Sequence, residues 1–220
     1  MKQFIGFFVG FCTILISATV GYAQGSVVFT TSKTIEPYRY DEIHGSPYLY
    51  ENWMPATIVG SDGKSYTVLA LNLNGLTKEL EIKEEDKTRE IRPESYIKVT
   101  VPRDGHADIF MRGIHPKLGL DLICILYNGD QVKLIKEFTV RKESSASAIS
   151  SFDKFVPKST YYLSIEGQLE QVGLRKKNIL KQLDAPAQLE EYLKKTDNSV
   201  KSEKELITLL EYYEANNLHK

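Results

Sequence analysis

DLICILYNGDQVKLIKEFTV, residues 121–140, sets two apolar runs on either side of Asn128 and Gly129. Asn and Gly tolerate positive φ, which a tight turn between antiparallel strands requires, so the stretch reads as a β-hairpin with a two-residue turn. The same reading extends outward. Upstream, SDGK (61–64) places Asp62 and Gly63 between TIV and SYTVLAL, and downstream Glu166 and Gly167 separate YYLSI from QLEQV. KELEIK (78–83) alternates Leu80 and Ile82 with charges, and YIKVTV (96–101) does the same with Ile97, Val99 and Val101. Such alternation is that of half-solvated strands in an antiparallel sheet. RKESSASAISS (141–151), polar and of low complexity, reads as a flexible loop between strands.

From Gly173 onward the period changes from two to 3.6. LRKKNILKQL gathers Ile179, Leu180 and Leu183; after Pro186, AQLEEYLKK places Leu189, Tyr192 and Leu193 on one face. Ser202 and Glu205 have the spacing of a capping box ahead of Leu206, Ile207, Leu209, Leu210 and Tyr213. The expected class is therefore α+β: a mainly antiparallel β-meander, either curled or left as an open barrel, followed by three short C-terminal helices. Short helices need tertiary support, so the helical segment 173–220 is expected to pack on the β-domain 24–172.

Lys2, the apolar run Phe4–Val20 and the small residues Gly21 and Ala23 have the layout of an export signal, residues 1–23, cleaved after Ala23. Cys12 sits inside the apolar run behind Phe11, where lipid attachment wants a small residue. Lys2 is the single charge in that segment, so 28 basic residues become 27 against 29 acidic ones, a net of minus two. A near-neutral chain has no electrostatic reason to seek nucleic acid, and it lacks the basic cluster that would hold it to an anionic membrane. After cleavage only Cys124 remains, so no disulfide forms within the chain.

The order of the pieces, an export signal, GSPYL, a DGK hairpin, an Asn-rich turn before KELEI, a YNG hairpin, a YYL strand and a terminal LITLLEYYE helix, resembles a family of uncharacterised exported proteins of Gram-negative bacteria. LNLNGL (71–76) departs from it, standing where an aromatic-rich strand is expected. The layout of residues 1–23 leads to the expectation of export to the periplasm or the exterior, with a place peripheral to the outer membrane as one option and no membrane anchor once the signal is removed. The resemblance transfers no catalytic residue.

Three groups could carry chemistry. In GSPYLYENWM (45–54), Tyr48 and Tyr50 would share one face of a strand and, with Trp53, form a stacking platform for a sugar or an aryl group; the competing reading is an apolar plug over the sheet end. Asp104, His106 and Asp108 alternate, with His115 following, and could ligate a metal; a turn at Asp104–Gly105 followed by a solvent face explains the same residues, and no metal or other cofactor is expected. Cys124, within LICIL, reads as a buried inert thiol. The pairs Glu84–Glu85 and Glu190–Glu191 read as solvated faces. No nucleophile elbow, zincin motif, dinucleotide fingerprint or P-loop is present. The expectation is an exported protein that is not an enzyme, a binding or scaffold protein of the cell envelope whose partner is an envelope protein or a glycan. A carbohydrate or small-ligand module built on Tyr48, Tyr50 and Trp53 is the alternative, and an enzyme of unfamiliar type around Asp104, His106 and Asp108 the third reading.

Overall fold

The computed structural model describes residues 31–36, 38–84, 87–146, 151–184 and 186–218; the expected export signal lies outside them. The strands are β1 (Thr31–Ile35), β2 (Ile43–His44), β3 (Met54–Gly60), β4 (Ser65–Asn74), β5 (Glu79–Glu84), β6 (Lys87–Ile91), β7 (Tyr96–Arg103), β8 (His106–Met111), β9 (Ile123–Asn128), β10 (Val132–Ala146), β11 (Ser151–Ile165) and β12 (Gln168–Val172). Three helices follow, α1 (Lys176–Leu183), α2 (Pro186–Thr196) and α3 (Glu203–Ala215). Among the described residues the strands form one sheet in the order β1-β6-β5-β4-β3-β7-β8-β9-β10-β11-β12, with β2 laid parallel on β11 at Asp153 and Lys154. Every other pairing is antiparallel. The α+β expectation is met.

The sheet bends far enough for its distant parts to touch. Val140 N donates to Gly75 O at 2.9 Å, and a Cβ at Gly75 would lie 2.6 Å from the Phe138 ring, so only glycine permits the approach. Arg112 reaches Glu79 Oε2 at 2.8 Å and Lys78 reaches Asp121 Oδ2 at 3.0 Å across the same seam. Among the described residues no ladder joins the ends of the strand order, so the sheet is open rather than a closed barrel.

Strand alternation then divides the core. Ile58, Val99, Val101, Phe110, Cys124, Leu126 and Leu134 join Leu180, Leu183, Leu189, Leu193, Leu206, Leu209 and Leu210 of the helices in one buried cluster. Ile123, Ile125, Ile135 and Leu169 form a smaller cluster on the other face. Each large aliphatic side chain so buried is worth about 1.5–3 kcal/mol before chain entropy is subtracted. The tail is tied polar-side as well: Glu214 Oε1 accepts from Gln131 N and Val132 N, both at 2.8 Å.

Several local expectations need correction. Residues 141–146 and 151–156 are paired strand, Arg141 opposite Val156 through Ala146 opposite Ser151, not a loop; only 147–150 lie outside the described residues. Both upstream hairpins exist with wider connections, 61–64 and 129–131, the second held open where Glu214 takes its amides. Glu166 (φ +50°) and Gly167 (φ +78°) do make a two-residue turn. In β7 the ladder skips Ile97, since Val59 pairs with Lys98 and Gly60 with Tyr96, so this bulge turns Ile97 out (52% exposed) and Tyr96 in. KELEIK is not half-solvated: Leu80, Glu81 and Ile82 are all buried, because both faces of β5 are covered.

Candidate functional site

GSPYLYENWM does not begin as a strand. It runs through bends beside the end of β4, where Leu49 N donates to Leu73 O at 2.9 Å, Gly75 N donates to Pro47 O at 2.8 Å, and Tyr48 forms a single bridge with Asn74. LNLNGL explains the attachment. Leu71 and Leu73 enter the core from one face of β4, while Asn72 on the other clasps the Tyr50 backbone, its Oδ1 accepting from Tyr50 N at 3.1 Å and its Nδ2 donating to Tyr50 O at 2.9 Å. Asn74 Nδ2 donates to Tyr40 Oη at 2.9 Å and to Glu81 Oε1 at 2.8 Å. Glu81, wholly buried, also accepts from Arg39 Nη2 (2.5 Å) and from Tyr48 Oη (2.9 Å).

The three rings of the proposed platform part company here. Tyr48 is half-buried, with its hydroxyl committed to Glu81 and its ring 5.3 Å from that of Trp53 at 54°. Trp53 is half-exposed beside it, on the rim rather than in the core. Tyr50 goes inward: it meets Phe110 edge-on, with centroids 6.3 Å apart, and donates to Asp108 Oδ2 at 2.6 Å. Burial, with Cys124 and Asp108 adding to it, pushes the Tyr50 phenol far above its usual range, so it remains a donor.

That hydrogen bond lies in the wall of a cleft of about 930 Å³ between β7, β8, β10 and β11 of the sheet and the start of α3. β8 brings His106 and Asp108 to it, β7 Arg103, β10 Lys136, β11 Tyr161, and the first turn of α3 Glu203 and Lys204. Lys136 Nζ donates to Glu203 Oε1 at 2.6 Å, and Tyr161 Oη donates to the same oxygen at 2.7 Å. Burial first, then this bond to Glu203, raises the Tyr161 phenol. Lys136 and Asp108 are 8% and 4% exposed, a degree of burial that charged residues reach only when paired or hydrogen-bonded. His106 Nε2 stands 3.4 Å from Asp108 Oδ1 but out of line for a hydrogen bond, so that oxygen, shut off from solvent, has no hydrogen-bond partner. Ser202 caps α3 by accepting from Glu205 N at 3.2 Å. The Glu205 carboxylate accepts from Lys201 N at 2.6 Å, one residue before its place in a standard capping box, and that bond chiefly lowers its pKa.

Asp104 and Gly105 form the turn between β7 and β8, as the second reading of DGHAD has it, and His106 and Asp108 follow on one face. That face is not solvated, because Asp108 is buried. His115 is remote from it: the ring accepts from Lys117 N, stands 3.3 Å from Gly167 O and lines a separate cavity with Ile109, Met111 and Ile125. Among the described residues no three His, Cys, Asp or Glu side chains are grouped to hold a metal ion. Cys124 is buried against Asp108 and Lys136, and burial pushes its thiol well up, which leaves it protonated and unreactive. Glu190 and Glu191 are exposed; Glu85 lies outside the described residues.

Lys136, Tyr161, Arg103 and Glu203 were not singled out by sequence reasoning. One signal existed: along Val132, Leu134, Lys136, Phe138 and Val140, every second residue points inward, and a lysine in that series is a charge aimed at the core. Glu203 comes from 67 residues further along the chain, and no pattern links the two. Compared with protein-family models, curated proteins and solved structures, the chain matches none, so function has to be reasoned from these side chains.

Proposed function

We propose that this is an exported, non-catalytic binding protein of the cell envelope, acting in the periplasm or outside the cell, and that it holds a small polar ligand in the cleft below α3. The observation that carries this is the pairing of a cavity of about 930 Å³ with charges sunk in its wall, Lys136 and Asp108, and the half-buried Glu203 beside them. Small-ligand sites measure roughly 300–1,000 Å³ and are marked by a few convergent polar groups. Burying charge costs several kcal/mol per ion, and apolar residues of equal size would serve folding as well or better. A binding role gives those charges a use that stability does not. Part of the cleft's polar lining is engaged internally, Lys136 and Tyr161 with Glu203 and Tyr50 with Asp108 Oδ2, while Asp108 Oδ1 has no hydrogen-bond partner. Export is supported by the layout of residues 1–23.

A thermal-shift screen of sugars, amino acids and peptides, carboxylic acids and phosphates tests the reading. At least one class should raise the melting temperature of the wild-type protein, as ligands that bind only the native state do, and should fail to raise that of Lys136→Met. A screen in which no class shifts the wild type, or in which the variant responds equally, overturns it.

A further inference from the structure

The cleft is bipolar, and its two poles differ in depth. In its wall the Lys136–Glu203 pair cancels, while among the described residues Asp108 has no lysine or arginine within 4 Å, only the His106 ring at 3.4 Å from Oδ1. One Asp108 oxygen takes the Tyr50 hydroxyl; the other, Oδ1, has no hydrogen bond. At the mouth Arg103, Lys201 and Lys204 are exposed, and among the described residues none of their charged ends has a carboxylate within 4 Å, although Glu205 holds the Lys201 amide at 2.6 Å. Asp104 is the one exposed acid among the residues that line the cleft. The mouth also holds the first turn of α3, a helix of 13 residues, whose amide end favours negative charge. From this we infer that the ligand is a zwitterion, a free amino acid or short peptide, whose ammonium group is taken by Asp108 and whose carboxylate lies between Arg103, Lys201, Lys204 and the start of α3.

The inference rests on the cleft being the binding site and adds the chemistry of the occupant. A simple anion would suit the mouth but would be repelled by Asp108. A simple amine would satisfy Asp108 and leave three cations idle. A neutral sugar could give Oδ1 a hydroxyl yet would use none of the mouth's charge. Only a molecule with both ends satisfies both poles, and complementary charge of this kind selects among ligands of equal size. Oδ1 is shut off from solvent with the half-buried His106 ring 3.4 Å away, so that ring has to swing aside when the amine enters. The cavity volume leaves room for more than one residue, and the apolar side chains of Leu49, Met54 and Leu174 along its wall suit the body of a peptide.

Isothermal titration of the purified protein with a panel of dipeptides bearing small, apolar, acidic or basic side chains, each also N-acetylated or C-amidated, tests this directly. At least one free dipeptide should bind about tenfold or more tightly than either blocked form, a difference of about 1.4 kcal/mol. Asp108→Asn should erase the preference for the free amine. Arg103→Ala with Lys204→Ala, both at exposed positions although the Arg103 guanidinium lies over the Tyr50 ring, should erase the preference for the free carboxylate while the N-acetylated and free forms still differ. Equal binding of free and blocked peptides overturns the inference, as does binding of a neutral sugar that Lys136→Met abolishes; in both cases the cleft remains a ligand site. Absence of binding by every probe, together with a silent thermal screen, removes both readings.

Discussion

Replacing Glu81 probes the buried ion pair that fixes the N-terminal turn and the GSPYL segment to the sheet. Glu81→Gln preserves volume and removes charge. Three donors converge on the carboxylate, Arg39 and Asn74 on Oε1 and Tyr48 on Oε2, and the Glu81 side chain is 0% exposed. Hydrogen bonds to a charged acceptor contribute about 1.5–3 kcal/mol against about 0.5–1.5 for neutral ones, so roughly 1 kcal/mol is lost at each of the three. The expected destabilisation is about 3 kcal/mol. Glu81→Ala should reach about 3–5 kcal/mol, since it leaves Arg39 unpaired. Arg39 is 22% exposed, which holds the figure toward the lower end. Urea unfolding followed by fluorescence measures it, because Trp53 is the sole tryptophan and packs on Tyr48, one hydrogen bond from the substitution. With a slope of about 2 kcal/mol per molar urea, the midpoint should fall by about 1.5 M for Glu81→Gln. Replacing both partners, Glu81→Leu with Arg39→Met, should recover much of the loss, as apolar substitutes for a buried pair often do. A midpoint for Glu81→Gln within about 0.2 M of wild type would refute the reasoning.

Further outcomes follow from the same contacts. Glu214→Ala should cost about 2–3 kcal/mol by releasing the amides of Gln131 in the β9–β10 connection and Val132 at the start of β10, and hydrogen exchange at both should accelerate; unchanged exchange there would mean that the tail is not docked by this residue. Tyr48, Tyr50 and Tyr161 all have phenols raised by burial, so above about pH 10 the unfolded chain gives up protons that the folded chain keeps. Their contribution is therefore complete below that pH and is lost as pH rises, by up to about 1.4 kcal/mol per unit for buried Tyr50 and by less for the part-exposed Tyr48 and Tyr161, where solvent screens the charge, and alkaline melting curves should show a steep fall where a flat response would contradict the assignment. Intact-mass analysis of exported protein should show a chain beginning at Gln24, and a retained Met1 would count against removal of the signal.

What could be read from the sequence was what repeats. The period-two runs around Asn128–Gly129 and the shift to 3.6 after Gly173 come from residues a few positions apart, and they give an antiparallel sheet and three helices without reference to anything distant. What could not be read was what covers each element. Glu81 looks solvated because it alternates with Leu80 and Ile82; it is buried because Arg39 and Tyr48, 42 and 33 positions earlier, close on its carboxylate. Tyr48 and Tyr50 look like neighbours on a strand, yet the bends fixed by Asn72 and Asn74 send one ring to the rim and the other to the interior. The candidate site failed for the same reason. Asp108 was noticed with His106, which does stand beside it, but not with Tyr50, 58 positions earlier in the chain, whose hydroxyl donates to it, nor with the Lys136 and Glu203 that line the same cleft.

Chemical-shift mapping of the backbone amides, during titration with whichever compound gives the largest thermal shift, is the most direct test of where this protein works. If the cleft is the site, the amides that move should cluster at residues 103–108, 136, 161 and 201–204, while those beside Trp53 and those lining the outer cavity around Ile109, Met111 and His115 stay in place. Movement confined to Tyr48 and Trp53, or to the outer cavity, with the cleft amides still, would contradict the assignment of function to the cleft.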